Sequence, residues 1–185
     1  MRYFLIFVAT IMLVFILAYV LFHGGGKPKI PVTTKTLQSY AATDAQVQLT
    51  IDGPINADQN HQATVIIVDR NDVTFEHVQG YQGTITNLQT FANNQNAYTN
   101  FLFALAHAGF TEGNSKAVVN NDERGYCPQG DRYIFQLTQD NNTLERYWAT
   151  SCGSPKTYLG SLGLTVSLFQ AQVPQYNSLA NNIKP

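Results

Sequence analysis

The sequence is short of charge, of basic clusters and of cysteine. Of its 185 residues, 11 are Lys or Arg and 12 are Asp or Glu. From Asp44 onward, seven basic residues stand against twelve acidic ones, a net charge of −5. Proteins that grip phosphate backbones cluster Lys and Arg, and no such cluster occurs, so nucleic acid is excluded as a partner. No phosphate-binding glycine loop and no dinucleotide fingerprint is present. The stretch "TSCGS" around Cys152 is not a nucleophile elbow. Two cysteines alone lack the further ligands zinc needs, and no two of His23, His61, His77 and His107 sit at metal-ligand spacing. "DRND" and "DGPINADQN" are oxygen-rich without the pattern of a calcium loop. The expectation is a chain with no catalytic residue, metal or cofactor to assign.

What is present begins with one long apolar run. "YFLIFVATIMLVFILAYVLF", Tyr3 to Phe22, is twenty residues without a charge. As a helix it spans roughly 30 Å, the hydrocarbon thickness of a bilayer. A cleavable signal peptide is the rival, but its apolar core runs to about 7–15 residues. No small-x-small cleavage site follows Phe22. Residues 1–22 are therefore predicted to be a cytoplasmic end and a transmembrane helix, with the lipid bilayer as partner. Lys27, Lys29 and Lys35 beyond the span outnumber Arg2 before it, which on the positive-inside rule weakly opposes export of the domain. The cysteines argue the other way.

Residues 23–43 read as a flexible tether: three glycines give swivel, and Pro28 and Pro31 bias the chain toward extended backbone. Residues 44–185 form the predicted extracytoplasmic domain. Asn and Gln supply 30 of its 142 residues, replacing charge with neutral hydrogen-bonding groups. Such residues with Tyr recur on recognition surfaces, although a merely soluble polar face reads the same way.

The domain is expected to be α+β: an antiparallel sheet of two hairpins plus an N-terminal strand, packed with one main helix and short C-terminal helices. "QVQLTID" alternates with period two, as a half-buried strand does. "HQATVIIVD" and "VTFEHVQGY" read as two strands joined at "RND". Tyr98, Phe101, Leu102, Leu105 and Ala106 make a helical stripe, predicting a helix over Gln95–Ala108. Asn93 or Asn94 suits its N-cap, and Gly109 the left-handed position past its end. The tail from Ser161 reads as two short helical pieces broken at Pro174, though alternation at Leu162 to Leu168 also suits a strand.

"DRYIFQLT" and "TLERYWAT" are predicted to pair as a hairpin through a two-residue turn at Asp140-Asn141, residues that tolerate positive φ. That register sets Leu137 against Leu144 and Tyr133 against Trp148. It also leaves Cys127 and Cys152 nearly opposite at the open end, with Pro128 and Gly130 allowing the bend. A bridge there implies Cα atoms about 4.4–6.8 Å apart and a gain of about 3–4 kcal/mol. Its rival is a pair of buried thiols in a cytosolic domain. With an anchor in the same chain, the bridge places the domain outside the membrane.

The histidines have structural readings: His61 opens a strand, His77 lies within one, and His107 ends a helix where a cation suits the dipole. Glu76 cannot orient His77 directly, since adjacent strand residues point to opposite faces. The candidate binding surface is the solvent face of the second hairpin, with Tyr147 and Arg146, beside the Glu112–Arg124 loop that ends in Arg124. The leading expectation is an envelope binding module facing a protein or glycan. A hydrolase assembled from dispersed residues is the alternative. A pilin also joins an apolar helix to a disulfide-closed sheet, but there is no basic leader ending in glycine before Phe and no glutamate near the helix start.

The combination "GYQGT", "FLFALAHAGF", "RGYCPQGDRYIFQL", "YWATSCG" and "SLFQAQVPQY", over most of Val47–Tyr176, resembles uncharacterised, N-terminally membrane-anchored exported proteins of the Saccharibacteria. The resemblance implies a single-pass protein of a bacterial cell membrane with its C-terminal domain in the envelope. It implies no activity and no site residue.

Overall fold

Strand β1, Gln46–Asp52, lies inside the sheet with a strand on each side, and its alternation assigns its side chains to the two faces. Val47 and Leu49 are fully buried on one face, while Gln48 and Thr50 turn to the other. The computed structural model describes residues 35–114 and 122–181, together with Ile11, Met12 and Tyr19. The chain divides into two compact units, Met1–Thr34 and Lys35–Pro185. The predicted span Tyr3–Phe22 lies outside the described residues apart from those three, which are helical. Among the described residues no helix is long and apolar enough to cross a membrane.

The second unit is α+β. Its six strands are ordered β4-β3-β2-β1-β5-β6, each antiparallel to its neighbour. After β1 come β2 (Gln62–Val68), β3 (Asp72–Gln79), β4 (Thr84–Ala92), β5 (Arg132–Gln139) and β6 (Asn142–Thr150). Helix α1 (Gln95–His107) covers one face with Tyr98, Phe101, Leu102 and Leu105 turned inward. Helices α2 (Leu162–Gln172) and α3 (Tyr176–Asn181) complete that layer, broken at Pro174 as the sequence implies. The core sits between: Phe101 meets Phe169 edge-on at 5.2 Å, and Phe110 approaches Phe135 at 6.2 Å.

Local chemistry sets the ends of α1. The Asn94 side chain accepts from the Ala97 N–H at 3.0 Å. Beyond the helix Gly109 takes φ +78°, and the Phe110 N–H reaches back to Leu105 O while Gly109 N–H donates to Ala106 O. This is a Schellman ending, with Phe110 buried as its hydrophobic contact. The Tyr98 hydroxyl donates to Ala45 O, tying the first turn to the start of β1.

Three expectations are corrected. The unit begins at Lys35 rather than Asp44, because Leu37–Ala42 forms a 3-10 helix that buries Leu37 and Ala41. A sixth strand, β4, occupies "TITNLQTFA", whose amides and threonines on an edge give almost no buried alternation. The third concerns the second hairpin. Asp140 and Asn141 do form its turn, at φ +51° and +62°. A bulge then leaves Leu144 without a partner, so Leu137 faces Glu145, Ile134 faces Trp148 and Tyr133 faces Ala149. One inserted residue sends the rest of the strand to the opposite face. Tyr147 therefore joins the core beside Phe135, and Trp148 is buried on the far face.

Candidate functional site

The far face of the sheet carries a cleft of about 520 Å³. Its floor is built by strand register. Asp52 closes β1 directly opposite Arg132, the first residue of β5. Arg132 Nε donates to Asp52 Oδ2 at 2.8 Å and its Nη2 to Gly53 O at 2.5 Å. Only 3% of the Arg132 side chain is exposed. His61 precedes β2, and its Nε2 stands 2.9 Å from the other Asp52 oxygen. One carboxylate thus holds two basic partners at the junction of three strands.

Tyr81 roofs the histidine. The two rings stack with centroids 4.0 Å apart and planes 12° from parallel. The phenol donates to Asn56 O at 3.0 Å and accepts from Asn56 N at 3.1 Å. The Tyr81 N–H donates to Asp58 Oδ1. The "GPINADQN" loop and the "GYQG" turn therefore fix each other, while Tyr81 remains 54% exposed. A half-exposed aromatic ring held at its face, its hydroxyl and its backbone is a pre-organised contact surface.

The opposite wall is the segment Glu123 to Gly125. Glu123 accepts from Arg146 Nη2 at 2.6 Å. Arg124 makes a two-pronged contact with Asp122, at 2.8 and 2.6 Å, which holds the Asp122 carboxyl well below the usual carboxylate range. The disulfide secures this wall: Cys127 and Cys152 are bonded with Cα atoms 5.8 Å apart. Gly130 is required beside them, since a Cβ there would strike Ser151 and the Cys127 sulfur. Tyr126 stacks over Trp148 with ring centroids 5.5 Å apart.

Of the three sequence-predicted binding residues, the structure brings two toward the cleft. Arg124 stands on its rim, and Arg146 braces its wall through Glu123. Tyr147 is 8% exposed on the opposite face, so it is not part of a solvent surface. Burial and the Glu145 carboxylate push its phenol up to about 12. Asp52, His61, Tyr81 and Arg132 were not singled out by sequence reasoning as a site. The only signals were Asp52 and Arg132 at the ends of alternating runs, and these become a pair only when β1 and β5 are neighbours.

Each charged group of the floor is already committed to another. The two ring nitrogens of His61 face Asp52 and Pro54 O, so neither is presented to the cleft. Among the described residues no group of three or more His, Cys, Asp or Glu could hold a metal ion. No protein-family model matches the chain, and no curated protein matches it.

Proposed function

We propose that this chain is a single-pass protein of a bacterial cell membrane, anchored through Tyr3–Phe22, whose extracytoplasmic domain is a binding module for an envelope protein or glycan. The observation that carries the reading is the cleft floored by Asp52, His61 and Arg132 and roofed by the pinned ring of Tyr81. It offers a rigid aromatic surface beside polar groups whose charges are internally balanced, the usual composition of a recognition site. The Cys127–Cys152 bridge supports an oxidising location, as disulfides persist outside the cytosol. We also propose kinship with the anchored Saccharibacteria proteins that the chain resembles.

An envelope hydrolase is the second reading, favoured by the Asp52–His61 pair within a cleft of this size. A general base must reach the proton it removes, and His61 has both nitrogens turned to protein acceptors.

A photo-crosslinking amino acid placed at Tyr81, on intact cells carrying the full chain, tests the binding reading. The expected result is a discrete adduct at Tyr81 that is missing when the same probe replaces Asn100, which is exposed on α1. Equal labelling at both positions, or none, would overturn it. Turnover of envelope polymer by the purified chain, lost in His61→Gln, would favour the hydrolase instead.

A further inference from the structure

The two edges of the sheet are treated differently. Along β6, the N–H groups of Thr157 and Tyr158 donate to Trp148 O, and the Trp148 N–H donates to Thr157 Oγ1. That edge is covered over its second half, and the strand also carries Glu145 and Arg146. At the other edge β4 has nine residues with no charge and no proline, and among the described residues nothing pairs with its outer side. Ile85 is 50% exposed and Leu88 54% exposed. Native edges are ordinarily blunted by charge, proline, a bulge or a cover. Here the one such device is the bulge that leaves Thr86 unpaired.

The order of residues says what the edge fits. Thr86-Asn87-Leu88-Gln89-Thr90 is close to symmetric about Leu88. Leu88 and Thr90 share the cleft face, lying opposite Glu76 and Thr74, while Thr86 sits at the bulge. Asn87 and Gln89 share the helix face, opposite His77 and Phe75. We propose that two copies of the chain pair β4 to β4, antiparallel about a two-fold axis at Leu88, so that the sheet continues from one copy into the next. In that register Asn87 meets Gln89 of the other copy, and Leu88 meets itself. Amide beside amide and leucine beside leucine are favourable cross-strand neighbours. A two-fold contact requires a patch that complements itself, which this segment does. Charge does not oppose it: the chain from Asp44 onward carries a net −5, and β4 itself brings no charge to the approach of two copies.

The full chain in detergent micelles, with Leu88→Cys introduced and the native bridge kept, tests this. A residue on the axis lies against its own copy, so mild oxidation is expected to give a covalent dimer. Thr90→Cys alone should give none, and Asn87→Cys with Gln89→Cys should restore it. Sedimentation of the unmodified chain should show a monomer–dimer equilibrium, weakened about tenfold by Leu88→Lys, which sets like charges directly opposite. A chain that sediments as monomer at every concentration would overturn the proposal. So would Thr90→Cys and Asn100→Cys chains that crosslink as well as the Leu88→Cys chain.

Discussion

The Arg132 guanidinium meets the Asp52 carboxylate across the β1–β5 pair at 2.8 Å, with 3% of the arginine side chain exposed. A buried ion pair is a poor source of net stability, yet removing one partner strands the other charge. Asp52→Ala should therefore lower the unfolding free energy by about 3–5 kcal/mol, measured by urea denaturation. Replacing the pair together, as Asp52→Leu with Arg132→Met, should cost less than the single change. A double variant worse than Asp52→Ala would contradict the pairing.

Loss of the disulfide should weaken the domain without changing its sheet. The bridge joins positions separated by 25 residues, and closing a loop of that length contributes about 3–4 kcal/mol on the chain-entropy account. Cys127→Ala with Cys152→Ala should shift the denaturation midpoint accordingly. The wall Glu123 to Gly125 should also loosen, seen as faster amide exchange there than in α1.

Gly113 bridges to Tyr158 and lies against the ring of Tyr147. A Cβ at this position would overlap that ring directly. Gly113→Ala should cost about 1–3 kcal/mol through overpacking. Pairing it with Tyr147→Leu should recover part of the loss, and thermal melts of the three variants would show it.

His77 is buried, and its Nδ1 has no partner among the described residues. Burial holds its pKa below the ordinary imidazole value of 6.5. The folded protein thus favours the neutral ring, and the unfolded chain takes up the proton at higher pH. This contribution to stability is complete above pH 6.5 and is lost as pH falls from there through the lowered folded pKa. Melting temperature should drop more between about pH 7 and pH 5 in the parent than in His77→Gln. Identical profiles would remove His77 from the account.

Local signals were legible wherever one stretch of chain carries its own instruction. The period-two runs of β1 to β3, the stripe of α1 with its Asn94 cap and Gly109 exit, and the break at Pro174 depend on neighbours within a few residues. The Asp140-Asn141 turn was readable for the same reason: it needs two residues that accept positive φ. The bridge is legible although the hairpin register is not. Its partners lie beyond the paired strands, where Cys127 at φ +51° and the close approach that Gly130 permits absorb a shift of one residue.

Tertiary structure alone decided the rest. The bulge at Leu144 moved Tyr147 into the core and turned Trp148 to the far face, because sheet sidedness reverses with every residue of slip. β4 became a strand because β3 offered it a ladder, not because its own pattern asked for one. Asp52 and Arg132 lie 80 positions apart, and only the placement of β5 beside β1 makes them a pair. Sequence by itself determined β1 to β3, α1 and the turn at Asp140-Asn141, since propensity, capping and periodicity act locally. Their neighbours decided the site, since burial and charge pairing act through space.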